Sequence, residues 1–125
     1  MKFIFDENLP RQLAHGLNCF EEDVFHVIDL LEAGITDVEL LEFSGKNGYF
    51  LITRDKRMRY NKSEILALRR NAVGAFFLIG KTMRMWDIVK QLINSWENIK
   101  EITESEHKPF IYTLRNSGKP ERYNL

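Results

Sequence analysis

The 125-residue sequence contains a single cysteine, Cys19, and no run of about 18 apolar residues. A lone cysteine excludes an intrachain disulfide and a thiolate metal cluster, and its default environment is that of a small buried hydrophobic residue. Without a long apolar run there is no candidate membrane span. Asp6 and Glu7 also interrupt the N-terminal apolar run where a signal peptide would continue. We therefore expect a cytoplasmic protein that has no membrane partner.

Metal-type histidine spacing and internal repeats are also lacking. His15, His26 and His107 are far apart in sequence and match no zinc-site pattern, so each is more simply explained as a surface or core residue. Only His26 stays of interest, because alternation along its strand could bring it near the edge of a sheet. No low-complexity linker divides the chain, and 44% hydrophobic with 29% charged residues is typical of a globular protein. We predict one domain over residues 1–125.

The formal net charge is zero, but the charges are unevenly distributed. Residues 1–53 contain ten acidic residues and three Lys or Arg, whereas residues 54–70 contain seven Lys or Arg and two acidic residues. An acidic site beside a basic segment suits a polyanionic substrate whose phosphate is met by cations held on carboxylates. A solvated helix face without any partner explains the same pattern equally well, so charge alone leaves both possibilities open.

Short apolar strands alternate with helices along the chain. Thr36 and Glu39 match a capping box, so a helix is predicted to begin there and to bury Val38, Leu41 and in part Leu40. The longest predicted helix carries an apolar stripe that we assign to the core, formed by Met85, Trp86, Val89, Leu92, Ile93, Trp96 and Ile99. The predicted strands are 2–5, 24–28, 49–53 and 72–79, and the predicted helices are 10–19, 36–46, 63–70 and 83–99.

The C-terminal segment predicts a hairpin at the edge of the fold. An apolar run at 110–114 is followed by a turn sequence at 116–118 and by Tyr123. The alternating strands before it imply an α/β fold with a mostly parallel sheet, right-handed crossovers and helices on both faces. Ligands of such sheets bind beyond the carboxyl ends of the strands. The residues directly after each strand are therefore the candidates for function.

Three carboxylates are candidates for one site at this edge. Asp6 follows the first strand, Asp55 follows the third, and Asp37 opens the helix that connects the second and third strands. Carboxylates brought together repel one another unless a cation neutralises them. Hard oxygen ligands without His or Cys select Mg²⁺ or Mn²⁺, and such an ion can activate water for phosphodiester hydrolysis. The pattern favours metal-dependent phosphoryl hydrolysis.

Each of these residues also has a purely structural explanation. Asp6 and Asp55 can serve as turn residues after strands, and Asp37 can favour the helix dipole inside its capping box. Asn8 can be a helix N-cap and nothing more. Their joint placement at one edge of the sheet is what favours the functional interpretation.

Three short motifs resemble the pattern of PIN-like nucleases, and most closely the small branch of predicted toxins related to VapC toxins and Mut7-C domains. The resemblance covers the chain from residue 1 to about residue 80, and the tail from Pro109 to Tyr123 is similar to an ending of some of these toxins. The motifs are Phe5-Asp6-Glu7-Asn8-Leu9-Pro10, Asp37 ahead of Leu40-Leu41, and Leu51-Ile52-Thr53-Arg54-Asp55-Lys56.

The resemblance implies a three-layer α/β/α fold, Mg²⁺ or Mn²⁺ on a carboxylate cluster, and cleavage of RNA. Asp6, Asp37 and Asp55 match the family's metal-binding acids, and Asn8 matches a polar helper that orients a carboxylate or a water. The sequence departs from the pattern at Arg57, where the family often has a further acid. A one-metal site, or a weak or inactive one, becomes more plausible for that reason.

The expected partners follow from the same interpretation. A toxin of this type acts on RNA and is paired with an antitoxin protein, and a homo-oligomer is also possible. The basic segment after the third strand supplies the candidate contacts to the RNA backbone, which are Arg54, Lys56, Arg57 and Arg59.

Other classes of protein were weighed against a nuclease. A phospho-receiver would use Asp6-Glu7 and Asp55, but it also needs a lysine after a fifth strand, and the sequence shows no clear strand after the long helix. A binding module with a decayed site would explain Arg57. Gly80-Lys81-Thr82 is similar to the end of a phosphate-binding loop, but Ala75 stands where that motif needs glycine.

Overall fold

Six strands form one sheet in the computed structural model, which describes residues 1–55, 57–80, 84–115 and 119–125. The first five strands in sequence are parallel to one another where they pair, and the last strand pairs with the fifth in the antiparallel direction. The prediction of a mostly parallel sheet with a C-terminal edge hairpin is thereby confirmed. The strands are β1 (Lys2–Phe5), β2 (Val24–His26), β3 (Tyr49–Thr53), β4 (Gly74–Leu78), β5 (Phe110–Leu114) and β6 (Glu121–Tyr123), in the spatial order β2-β1-β3-β4-β5-β6.

Helices cover both faces of this sheet, giving the three-layer α/β/α architecture. Within the described ranges, no helix is long and apolar enough to cross a membrane. The helices are α1 (Arg11–Cys19), α2 (Val27–Leu30), α3 (Asp37–Asn47), α4 (Lys62–Arg70) and α5 (Met85–Ser105), and a 3₁₀ turn at Met58–Tyr60 precedes α4.

Alternation along the central strands divides the core into two layers. Phe3 and Phe5 of β1 point to one face, where they pack with residues of α1 and α5. Ile4 points to the other face and packs with residues of α3 and α4. Because helices cover both faces, β3, β4 and β5 are buried at every position. The continuous apolar runs in the sequence have this cause.

The helices α3 and α4 lie side by side at a spacing that depends on Gly45. A Cβ atom at Gly45 would lie 2.2 Å from the backbone oxygen of Asn71, the residue that follows α4. Asp37 and Glu64, in the first turns of the two helices, are also in hydrogen-bonding contact. The two helices therefore run in the same direction and bring their N-terminal ends together.

The second predicted strand is shorter in the structure, so its predicted end was wrong. β2 ends at His26, whose Nδ1 accepts a hydrogen bond from the backbone N–H of Ile28 at 3.2 Å and so caps α2. The other ring nitrogen, Nε2, donates to the carbonyl oxygen of Leu9 at 2.8 Å. His26 is buried, and both of its nitrogens serve the backbone. This arrangement agrees with the explanation of His26 as a core residue.

The core face predicted for α5 was wrong at three positions. Met85, Trp86 and Ile93 are 49%, 64% and 46% exposed, whereas the polar Gln91 and Ser95 are buried. Gln91 turns this face inward because its Nε2 donates to the carbonyl oxygens that follow β4 and end β5. The helix also ends six residues later than the predicted limit of 99, at Ser105.

Three smaller predictions also need correction. Cys19 is exposed, because it lies at the solvent-facing C-terminal end of α1. Strand β4 begins at Gly74 and not at 72, since Ala72 has a left-handed φ of 51° that no strand residue adopts. In α3, Leu40 and Leu41 are buried and Val38 is only half-buried. The predicted turn at 116–118 and helix start at Met83 lie outside the described residues.

A clear strand does follow the long helix, contrary to the expectation from sequence. β5 pairs in parallel with β4 over Gly74–Leu78. Its apolar run looked like one half of a terminal hairpin, and only its pairing with β4 shows that it also closes the parallel sheet. The exposed Arg115 follows it. The absence of a fifth strand is therefore no argument against a receiver.

Candidate carboxylate site

The candidate site lies where the strand order of the sheet reverses. β1 has β2 on one side and β3 on the other, and the chain crosses from one side to the other between these strands. In doubly wound sheets, a crevice opens beyond the carboxyl ends of the strands at this switch point. Asp6 directly follows β1 and Asp55 lies two residues after the end of β3. The register pairs Phe5 with Ile52, so Asp6 follows at the level of Thr53 and Asp55 lies two residues beyond that point.

Asp6 is a buried carboxylate with hydrogen bonds to both oxygens. Asp6 is only 4% exposed. Oδ1 accepts from the backbone N–H of Asn8 at 3.0 Å, and Oδ2 accepts from the hydroxyl of Thr53 and from Nδ2 of Asn8. Burial raises the pKa of Asp6 to about 6, although these hydrogen bonds act in the opposite direction. The negative charge of Asp55 makes a smaller contribution to this rise in pKa.

Thr53 connects the two acids that follow the central strands. Its hydroxyl donates to Asp6 and accepts a hydrogen bond from the backbone N–H of Asp55 at 2.9 Å. Oδ1 of Asp55 in turn accepts from the backbone N–H of Arg57 at 2.9 Å. These hydrogen bonds link the side chains of Asp6 and Asp55 to the end of β3. The sequence analysis missed Thr53, although a hydroxyl residue at the end of an otherwise apolar strand was a usable signal.

Asp37, Asp55 and Glu64, here called the carboxylate cluster, line one open cavity of about 610 Å³. Burial is the main cause that raises the pKa of Asp37, and the negative charge of Asp55 adds to it. The pKa of Glu64 is raised to about 7 by burial, by its hydrogen bond with Asp37, and by the charges of Asp37 and Asp55. The remaining lining residues are Asn8, Arg54, Arg57 and Asn61.

Glu64 was missed by the sequence analysis. It lies in the first turn of α4, where its backbone N–H donates to the side chain of Asn61 at 3.1 Å. In the sequence this pattern is typical of an ordinary capped helix start, and it gives no sign of a contact with Asp37. The contact arises only from the packing of α4 against α3, which joins residues far apart in the chain.

The structure brings Asn8, Asp37 and Asp55 together at the large cavity and places Asp6 behind them. Asp6 lines a smaller pocket of about 100 Å³, which it shares with Asn8 and Asp37. Asp6 is thus a neighbour of the carboxylate cluster and is linked to Asp55 through Thr53.

The predicted basic residues divide into two groups. Arg54 and Arg57 line the large cavity together with the carboxylate cluster. Arg59 lies away from it, with its guanidinium carbon 4.8 Å from the ring centre of Tyr60 and 5.6 Å from that of Tyr123. Lys56 lies outside the described residues.

The donor atoms fit a hard divalent cation in their chemistry. All side chains of the carboxylate cluster offer oxygen, and neither His nor Cys lines the cavity. The raised pKa of Asp37 and Glu64 shows carboxyl groups crowded closely enough to hold protons that a cation could replace. In the part of the chain that is described, no group of three or more His, Cys, Asp or Glu side chains has the arrangement of a ready-made metal site. The fit is therefore one of ligand type and not of preformed geometry.

The fold and site define a doubly wound α/β protein with acidic side chains at its switch point. A family model described as a PIN like domain matches residues 1–80, more than half of the chain, and the protein belongs to this PIN-like family. PIN-like domains are in general nucleases that typically use divalent metal ions, which places the chain in a nuclease superfamily. No curated protein and no solved structure matches it significantly.

Proposed function

We propose that the protein is a metal-dependent ribonuclease that hydrolyses phosphodiester bonds of RNA with Mg²⁺ or Mn²⁺. The observation that carries this proposal is the carboxylate cluster at the switch point of the sheet, where burial and, to a smaller extent, neighbouring charges raise the pKa of Asp37 and Glu64. A protein without a cationic ligand gains nothing from such crowding. Membership of the PIN-like family supports the reaction class.

The residues present would hold the ion through carboxylate oxygens. Asp6, Asp37 and Asp55 are the ligands that the sequence suggests, and Glu64 joins them because it lines the same cavity as Asp37 and Asp55. When bound, a divalent cation supplies charge neutralisation at the phosphate and a water of lowered pKa. Asn8 has a side chain at both pockets and would orient a carboxylate or a water.

The two arginines of the cavity would bind the substrate. Arg54 and Arg57 line the same cavity as the carboxylate cluster, so a phosphate group entering it would meet cationic donors from the protein in addition to the metal. Arg57 occupies the position where the family often has an acid. Glu64 supports an active site all the same, because it contributes a further carboxylate from a different helix.

We extend the proposal to a toxin of a toxin–antitoxin pair that acts in the cytoplasm, on the strength of the resemblance to the VapC-like and Mut7-C-like branch. Induced expression of the wild-type protein should then arrest growth, and the Asp55→Asn variant should not. Co-expression of the protein encoded next to it should relieve the arrest. Growth arrest by both proteins alike would count against a toxin that works through this site.

A phospho-receiver is the second candidate, and one observation favours it. The order β2-β1-β3-β4-β5 is also that of receiver and flavodoxin-like sheets, with acids after β1 and β3. Arg115 follows β5 where a receiver needs lysine. Acetyl phosphate should therefore leave Asp55 unlabelled, as measured by intact mass. Stable phosphorylation of Asp55 would move the protein into signalling.

Hydrolysis of labelled single-stranded RNA tests the main proposal. Cleavage should require Mg²⁺ or Mn²⁺, stop with EDTA, and be lost in Asp6→Asn and Glu64→Gln. Glu42→Gln, which changes an exposed acid on α3, is the matched control and should cleave like the wild type. Undiminished cleavage by Asp6→Asn and Glu64→Gln would show that the activity belongs to another site or a contaminant.

A further inference from the structure

A second concave surface borders the large cavity across Asn61. It has a volume of about 390 Å³, and Asn61 lines both spaces, so the two are adjacent. The charged side chains that the structure places along this surface are all cationic: Arg59, Lys62 and Arg69. We call it the basic groove.

An aromatic ring lies in the basic groove without core packing to explain it. Tyr60 is 66% exposed, and Leu66 beside it is 53% exposed. Single exposed rings are common on protein surfaces, but this one lies among cationic side chains on a concave surface, where it is available to stack on a ligand. The ring contacts the cation of Arg59, whose guanidinium carbon lies 4.8 Å from the ring centre.

Arg59 restricts the position of the Tyr60 ring through a cation–π contact. Its guanidinium also lies 5.6 Å from the ring centre of Tyr123 in β6, so it stands between two aromatic side chains. Cation–π contacts of this kind reduce the freedom of both partners. Tyr60 is thereby presented in a preorganised position, which lowers the entropy lost when a flat group stacks on it.

We propose that the basic groove binds single-stranded RNA and that Tyr60 stacks on one unpaired base next to the nucleotide in the carboxylate cavity. Cationic side chains along the groove attract the phosphates, and an aromatic ring among them accepts any base because every base has a flat apolar face. Bases inside a duplex are already stacked and cannot reach the ring. This inference rests on the proposed function in one respect: that the RNA strand continues from the groove into the carboxylate cavity.

Charge decides between RNA and a protein partner. The described lining offers three cations and no acid, which suits a regular polyanion better than a mixed protein surface. The adjacent cavity adds two further cations, Arg54 and Arg57, next to the carboxylate cluster where the metal would bind.

Binding measured in EDTA tests the inference without cleavage. The affinity for a labelled single strand of about 12 nucleotides, a length within the usual range for such sites, should fall about five- to a hundredfold in Tyr60→Ala. Tyr60→Phe keeps the ring and should bind within about twofold of the wild type. Phe20→Ala removes another highly exposed ring, which does not line the basic groove, and this variant should bind like the wild type. Affinity for a blunt RNA duplex should not change in Tyr60→Ala.

A charge variant gives a second readout. Arg69→Gln should make the plot of log affinity against log salt less steep, by the amount that corresponds to about one phosphate contact. Wild-type affinity in Tyr60→Ala, or an equal loss in Phe20→Ala, would overturn the stacking proposal even if metal-dependent cleavage is found. Tyr60-dependent binding to single strands without any cleavage would support it and refute the ribonuclease function. The two proposals can thus fail separately.

Discussion

The carboxyl edge of the sheet is built in two different ways. At β4 and β5, Gln91 from α5 donates hydrogen bonds to the carbonyl oxygens of Ile79 and Leu114 and joins the strands by neutral contacts. At β1 and β3, the strands are followed by Asp6 and Asp55, and burial of Asp6 and the charge of Asp55 act against ionisation. One half satisfies its own backbone groups, whereas the other brings together like charges whose repulsion is relieved by a proton or by a bound cation. Stability and function occupy separate halves of one edge.

The largest expected effect concerns catalysis at the acidic half. Asp55→Asn should lower the rate of metal-dependent RNA cleavage by about a thousandfold, because a metal contributes several kcal/mol to transition-state stabilisation and each tenfold in rate is about 1.36 kcal/mol. Gln91→Ala, in the other half, should retain the wild-type rate per folded molecule. Rates from initial cleavage of labelled RNA at saturating Mn²⁺ measure both. Equal losses in the two variants would erase the division between the halves.

A pH effect should follow from the burial of Asp6. Its pKa is about 6 in the folded protein and near the ordinary value of 3.8 when unfolded, so the folded state binds the proton more tightly. The free energy of unfolding should therefore be highest below pH 4 as far as Asp6 is concerned, and should fall as the pH rises from about 4 to 6. At 1.36 kcal/mol per unit, the loss amounts to about 3 kcal/mol.

Urea unfolding in EDTA at a series of pH values measures this loss. Asp6→Asn should remove that contribution to the slope, and Glu42→Gln should keep it. A variant Asp6→Asn with the same pH dependence as the wild type would show that Asp6 is ionised in the folded protein at acidic pH.

The neutral half of the edge should respond to a different substitution. Gln91→Ala removes the donor to two buried carbonyl oxygens and leaves a void, and we expect a loss of about 2 kcal/mol in the free energy of unfolding. The loss should be the same with EDTA and with Mn²⁺, because no metal ligand changes. A metal-dependent loss in this variant would connect the two halves that the structure separates.

The smallest effect, and the sharpest in sign, concerns Asp55 without metal. Neutralising it should relieve repulsion with Asp37 and Glu64, so Asp55→Asn should be as stable as the wild type in EDTA or more stable by about 1 kcal/mol. Mn²⁺ at about a hundredfold excess over its dissociation constant should add about 2.7 kcal/mol to the wild type and little to the variant.

Thermal melts with EDTA and with Mn²⁺ distinguish this result from a structural role of Asp55. A turn residue would make the variant less stable in EDTA, and Mn²⁺ would then shift neither melting curve.

The sequence predicted the layers of the fold because each strand is an apolar run and each helix carries local start signals. The rule that ligands bind at the carboxyl ends of parallel strands then located Asp6 and Asp55, and the capping box at Thr36 located Asp37. These are local features, or they depend on one general rule about sheets.

The features that were missed depend on contacts between distant segments. Glu64 meets Asp37 only because α4 packs beside α3, and a glutamate in the first turn of a helix is common for unrelated reasons. The buried face of α5 is set by hydrogen bonds from Gln91 to carbonyl groups 12 and 23 residues away in sequence. No periodicity in the sequence contains that information.

The helices α3 and α4 approach each other so closely at Gly45 and Asn71 that a change of spacing there should also change the spacing at their other ends. This contact lies at the C-terminal ends of the helices, whereas Asp37 and Glu64 meet at the opposite ends. A single methyl group at position 45 would push the two helices apart and change the separation of two carboxylates that it never touches. The proton affinity of the pair, and with it the competition between protons and cations, is therefore adjustable from a glycine on the far side of the layer. Variation at such a remote position can tune an acidic centre while every acidic residue is kept.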